Sequence, residues 1–194
     1  VKRDTVSMWL KVVVACIPGA IVTLLFDDYI EAHLHTPNVI AAALIVYGVA
    51  FILVENWNKT RRPRIRTLAD VDYRTAFLIG MFQVLSIIPG TSRSGSTIIG
   101  ALILGVSRVA AAEFTFFLAV PAMFGMSALK LLKFGFSFTG AELVMLLLGM
   151  VVAFLVSLGV IKFLMDYIRK HDFRAFGWYR IALGALVLVY FLAA

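Results

Sequence analysis

Between two apolar stretches the chain reads Pro89-Gly90-Thr91-Ser92-Arg93-Ser94-Gly95-Ser96-Thr97. Ser92, Ser94, Ser96 and Thr97 bring hydroxyl donors, and Gly90 and Gly95 let a ligand approach the backbone closely. Arg93 adds a fixed charge on a planar fork that matches phosphate oxygens. A helix is predicted to begin around Ser94 or Gly95, with Ser94 as its N-cap, so that free amides and a positive dipole end face the same ligand. Three sources of positive potential in a low dielectric suit a phosphate anion and the charge that develops in phosphoryl transfer. The competing reading has the hydroxyls packing helices and Arg93 snorkelling to an interface. It accounts for Ser96, Gly100, Ala101 and Gly105, but a snorkelling arginine belongs at the end of a span. Gln83 either orients Arg93 or bonds across helices.

The elements that must hold this run are membrane elements. Hydrophobic residues make up 62% of the 194, charged residues 15%, and the mean hydropathy is +0.97. A globular chain carries about 25% charge. Five full spans are expected, at Met8–Phe26, Asn38–Val54, Val109–Leu132, Ala141–Met165 and Ala175–Ala194, with Asn38–Val54 near the lower length limit. Pro18 and Pro121 fall inside two of them. The flanks of the polar run, Ala76–Ile88 and Ile98–Val106, are shorter. About 13 helical residues rise about 20 Å, short of a hydrocarbon core of roughly 30 Å. Lipid tolerates irregular backbone and a buried cation only where they line a protein cavity. The expected fold is therefore an all-α integral membrane protein, a polytopic helical bundle in one membrane domain over 1–194. Its re-entrant helix hairpin covers 76–106.

The net charge is +7, and basic residues gather in two groups, one of Lys59, Arg61, Arg62, Arg64, Arg66 and Arg74, the other of Lys162, Arg169, Lys170 and Arg174. That placement argues for the positive-inside rule, with contact to anionic headgroups, rather than for nucleic acid. If the hairpin returns to the side it came from, both basic loops share the cytoplasmic side and the C-terminus lies outside, with Lys130 and Lys133 as a mild exception. Cys16 stands alone, so an intrachain disulfide is excluded. His33 and His35 sit with Asp27, Asp28 and Glu31 in a stretch read as a solvated loop rather than a metal site. Glu55 reads as snorkelling, Glu113 as facing Arg108 or water, and Arg180 as an interfacial anchor slightly ahead of a second phosphate contact.

The run from Pro89 to Thr97 resembles the PGxSRSxxT signature of bacterial undecaprenyl pyrophosphate phosphatases, the bacitracin-resistance family. Tyr73-Arg74-Thr75-Ala76-Phe77, Phe82-Gln83, Gly105-Val106-Ser107-Arg108, Ala112-Glu113-Phe114, Leu118-Ala119-Val120-Pro121 and Tyr179-Arg180 extend the similarity along nearly all of the chain. The resemblance implies hydrolysis of undecaprenyl pyrophosphate to the monophosphate carrier and phosphate, in the bacterial inner membrane, for cell-wall synthesis. It makes Arg93, Ser92 and Thr97 catalytic, with Gly90, Ser94, Gly95, Ser96 and Gln83 binding substrate. It also implies a divalent metal, Mg or Ca. The family's paired glutamates and serine-rich motif, which would supply the metal carboxylates, have no match here. The chain resembles the later two thirds of a family member. The expected partners are the prenyl pyrophosphate lipid and the membrane, with a homodimer left open. The alternative functions are a lipid-phosphate transporter or flippase binding the head at the re-entrant tip without hydrolysis, and a structural subunit without ligand. The membrane acid-phosphatase pattern needs histidines, and none lies between His35 and His171.

Overall fold

The computed structural model of the chain describes residues 3–135 and 138–193. It is an all-α polytopic membrane protein, built of α1 (Arg3–Leu34), α2 (Pro37–Asn58), α3 (Tyr73–Val84), α4 (Arg93–Ile103), α5 (Arg108–Phe134), α6 (Gly140–Lys170) and α7 (Arg174–Ala193). Short 3-10 turns at Leu68–Asp70 and Leu85–Ile87 precede and follow α3. Five of the helices are long and apolar enough to cross a membrane, and they fall on the five expected spans.

The helices overrun the apolar stretches that announce them. α1 continues through the acidic stretch to Leu34, and α2 runs 22 residues to Asn58. That length rises about 33 Å, so the second span is not marginal. Polar residues do not stop a helix; caps and breakers do. Thr36 accepts the Val39 amide and places Pro37 at the first helical position. Thr139 and Glu142 form a reciprocal capping box that starts α6.

The hairpin consists of α3 and α4, spanning 73–103 against the 76–106 expected, and its two ends meet at the 59–72 loop. The amides of Arg64 and Ile65 donate to the Gly105 carbonyl at 2.9 and 3.1 Å, and the Ser107 amide donates to the Ile65 carbonyl at 2.8 Å. Gly105 sits at φ +82, in the left-handed region that makes this turn possible.

α1 runs beside α3 in the same direction, with Ala15 facing Gly80 so closely that a Cβ at position 80 would collide with the Ala15 backbone. α7 packs antiparallel on α2 through Gly48, Gly177 and Gly184, where backbone meets backbone. The core lies among α1, α3, α4 and α5 and includes Val12, Ala15, Ile79, Leu102, Phe114 and Leu118. α6 exposes nearly every side chain along its length, an apolar surface suited to lipid.

Glu55, at the end of α2, does not snorkel. It is fully buried, and Arg108 at the start of α5 reaches it through Nε at 3.0 Å and Nη2 at 2.6 Å. This ion pair ties the basic ends of α2 and α5 together. Glu113, which the sequence offered as a partner for Arg108, makes no such pair among the described residues.

Candidate functional site

The chain breaks helix after Ile87 and resumes it at Arg93. At the turn Gly90 adopts φ +87, and a Cβ there would lie 2.5 Å from the Ile40 carbonyl oxygen. No other residue fits without moving α2. The N-cap of α4 is Ser92, not Ser94: the Ser92 hydroxyl accepts the Gly95 amide at 3.1 Å. A hydroxyl at either position satisfies the capping pattern, and the Pro89-Gly90 turn delivers the chain one residue before Arg93. Capping occupies only an acceptor lone pair, so the Ser92 proton remains available. Ser94 Oγ lies 3.1 Å from Ser92 Oγ.

Arg93 therefore occupies the first turn of α4. Its Nη2 donates to the Met126 sulfur at 3.1 Å, and its Nη1 is buried without a partner. A thioether is a weak acceptor, and buried guanidinium donors are ordinarily satisfied. The group is held in place while its strongest bonding capacity stays unused.

Thr97 is buried one turn further on. Its hydroxyl lies 3.0 Å from the Ser94 carbonyl, 3.2 Å from that of Arg93, and 3.0 Å from Thr115 Oγ1. With its own proton given to a carbonyl, Thr97 must accept from Thr115. Thr115 is thus a site residue that sequence reasoning missed. Only its place on an apolar span near the signature's helix could have signalled it.

Three cavities meet around these residues. One of about 290 Å³ is lined by Gln83, Arg93, Ser94, Thr97 and Thr115 together with apolar groups of α5. A second, about 360 Å³, runs between α1 and α5 from Cys16 to Leu129 and again contains Gln83 and Arg93. The third, about 120 Å³, brings Ser92, Ser94 and Gly95 together with Arg180 of α7. Arg180 Nη1 is buried and unpartnered as well. Its placement favours the contact that the sequence reading ranked second, and the signal was present: an arginine six residues inside an apolar span is costly unless it faces a cavity.

Gln83 shares two cavities with Arg93 but makes no side-chain hydrogen bond to it, and its Oε1 is buried and unsatisfied. Ser96 is buried, its hydroxyl unpartnered, and it lines none of the three cavities. It belongs to the packing face of α4.

Among the described residues, no carboxylate lines these cavities. A hard divalent cation needs oxygen anions or carbonyls, whereas this donor set is two guanidiniums and hydroxyls. Among the described residues no group of three or more metal-ligating side chains comes together. The cluster does not fit a resident metal. His33 instead lies with Nδ1 2.9 Å from the Tyr29 carbonyl and stacks on that ring; the side chains of Asp27, Asp28 and Glu31 lie outside the described residues.

Fold and site together define a class: a polytopic helical membrane protein whose broken-helix hairpin offers amides, hydroxyls and unsatisfied guanidinium to a group of adjoining cavities. The chain belongs to the bacitracin resistance protein BacA family, whose pattern matches residues 1–186. It is 69% identical over 189 residues to an undecaprenyl-diphosphatase of Enterococcus faecalis, covering 97% of this chain and 68% of that protein. The undecaprenyl-diphosphatases of Desulfitobacterium hafniense and Lachnoclostridium phytofermentans are 59% and 60% identical over 194 residues, the whole of this chain and 70% and 71% of theirs.

Proposed function

We propose that the protein hydrolyses undecaprenyl diphosphate to undecaprenyl phosphate and inorganic phosphate, returning the lipid carrier to cell-wall synthesis in the bacterial cytoplasmic membrane. The family and its relatives' names support the reaction. The observation that carries the site assignment is the buried, unpartnered Nη1 of Arg93 beside the α4 N-terminus.

In this reading Arg93 grips non-bridging oxygens of the diphosphate through its fork. Ser92 and Ser94 donate hydroxyl protons, and the first amides of α4 add their dipole. Arg180 approaches the same group from α7. Water attacks the terminal phosphorus, the bond to the bridging oxygen breaks, and the lipid monophosphate leaves with that oxygen. The guanidiniums and amides stabilise the negative charge that grows on the departing oxygens. Thr97 positions Arg93 and Ser94 by holding their carbonyls. The largely apolar cavity between α1 and α5 takes the first part of the prenyl chain. Gln83 lies where head and chain meet. The divalent metal that the resemblance implies, Mg or Ca, is assigned no residue of this cluster.

The basic loops face the cytoplasm in this reading, and the C-terminus lies outside. The hairpin tip sits against Ile40, early in α2 and far from the basic end. The diphosphate would be met from the outer side.

Phosphate release from undecaprenyl diphosphate by the purified protein tests the function. Arg93→Lys keeps the charge and loses the fork, and should lower release and diphosphate binding about 10-fold to 100-fold, the worth of charge-assisted hydrogen bonds. Unaltered release and binding in this variant would remove Arg93 from the site.

A further inference from the structure

A second concave, strongly cationic place lies towards the other end of α4 from Arg93, sharing Ile168 with the cavity that Ser92 and Arg180 line. It is a cavity of about 540 Å³ lined by Trp57, Arg61, Arg62, Arg64, Arg108 and Arg169, among others. Its guanidiniums converge from the 59–72 loop, the start of α5 and the end of α6. All five of its cationic side chains are arginine; Lys59, Lys162 and Lys170 are near in sequence yet line no part of it.

Orientation signals alone do not require this. The positive-inside rule is met equally by lysine and by loose loops. Here the wall is built: the backbone at Arg64 is fixed by the hydrogen bond its N–H donates to the Gly105 carbonyl, and Asn58 Nδ2 reaches the Leu102 carbonyl at 3.4 Å. Arg61 lies over the Trp57 ring at 3.6 Å, a stack that leaves its in-plane donors free. The Glu55 carboxylate is taken by Arg108. Among the described residues, no carboxylate pairs with Arg61, Arg62, Arg64 or Arg169. Ile103 and Leu104 form an apolar flank, with Ile103 exposed beside the cavity.

We propose that this cavity is a second phosphate site, distinct from the hairpin tip, which binds the phosphate of an anionic phospholipid headgroup or a free phosphate ion. The planar forks suit phosphate oxygens, the apolar flank suits the glycerol and acyl chains of a lipid, and Trp57 marks the depth of the headgroups. Basic pockets between helices on the cytoplasmic side are suited to anionic headgroups on the same grounds.

The test uses the full chain in phosphatidylcholine nanodiscs. In one arm phosphatidylglycerol is mixed in and the lipid retained by the protein is counted by native mass spectrometry. In the other, inorganic phosphate is titrated in phosphatidylcholine alone. Arg61→Gln/Arg62→Gln/Arg64→Gln should lower phosphatidylglycerol retention by about 10-fold or more, since each basic residue near the surface contributes appreciably. Lys133→Gln, an exposed cation at the far end of α5 from Arg108, should leave that retention unchanged. Loss confined to the phosphate arm would assign the site to the free ion. Equal retention and equal phosphate binding in the triple variant and the parent would overturn the proposal. Should the triple variant not fold, Arg62→Gln and Arg64→Gln singly, both at exposed positions, should each lower binding about threefold, and no loss in either would overturn it.

Discussion

Two arginines show how burial decides what a guanidinium does. Arg108 has a partner with two oxygens, and its fork is satisfied. Arg93 has a thioether, and one of its nitrogens has nothing. The first is structural; the second is available for a ligand. The polar run between apolar segments made Arg93 legible in the sequence, because a lone cation there has few bland explanations. The Glu55–Arg108 pair was not legible, since 53 positions separate the partners and only the folded hairpin brings α5 back to the end of α2. The pair carries an asymmetric prediction. Glu55 is fully buried, while Arg108 retains 37% side-chain exposure. Removing Arg108 as Arg108→Met strands a buried carboxylate and should cost about 3–5 kcal/mol. Glu55→Gln leaves a guanidinium that water can still reach and should cost about 1–2 kcal/mol. The double variant Glu55→Leu/Arg108→Leu should be more stable than Arg108→Met. Denaturant unfolding in detergent measures all three, and equal losses for the two single variants would contradict this account.

At the scale of elements, the hairpin depends on its starts and stops more than on its apolar content. α3 begins because Asp72 accepts the Thr75 amide at 2.7 Å, just after Asp70 has closed the preceding turn on Thr67. Both caps lie outside the apolar segments. Hydrogen bonds from Thr75 hold the Asp72 carboxyl below its ordinary value, and those from Thr67 do the same for Asp70. A carboxylate with a depressed folded value stabilises the fold above its unfolded value, about 3.9, and that contribution disappears as pH falls through the folded one. The first turn of α3 should therefore loosen below about pH 4, seen as faster exchange of the 75 and 76 amides after correction for intrinsic rates. Asp72→Asn, which caps without titrating, should remove most of the pH dependence; an unchanged profile would show that Asp72 is not its source. The five spans were legible because long apolar runs have one use in a membrane protein. Their ends were not, because hydropathy records where lipid lies and capping records where helix lies. α1 reaches Leu34 and α6 reaches Lys170, several residues beyond their apolar cores.

For the whole molecule, the closed hairpin sets the sidedness of everything else. Since α3 and α4 both end at the 59–72 loop, the hairpin adds no crossing, and α5 starts from the end at which α2 finished. The two basic loops then share one end, as the cavity lined by Arg61 and Arg169 displays directly. The α1–α2 connection near His35 occupies the other end, on the side to which Gly90 is pinned by its contact with Ile40. A diphosphate head lodged at Arg93 would thus be separated from the basic end by most of the length of α4. Cysteine accessibility decides the matter. In a Cys16→Ser background, His35→Cys and Arg66→Cys place single thiols at exposed positions on opposite ends. A membrane-impermeant maleimide added to intact spheroplasts should label position 35 and leave position 66 untouched until the membrane is permeabilised. The reverse pattern would turn the protein over and put the diphosphate site towards the cytoplasm. Labelling of both positions from outside would mean that the hairpin crosses the bilayer, and the closed arrangement at Gly105 would no longer describe the protein in its membrane.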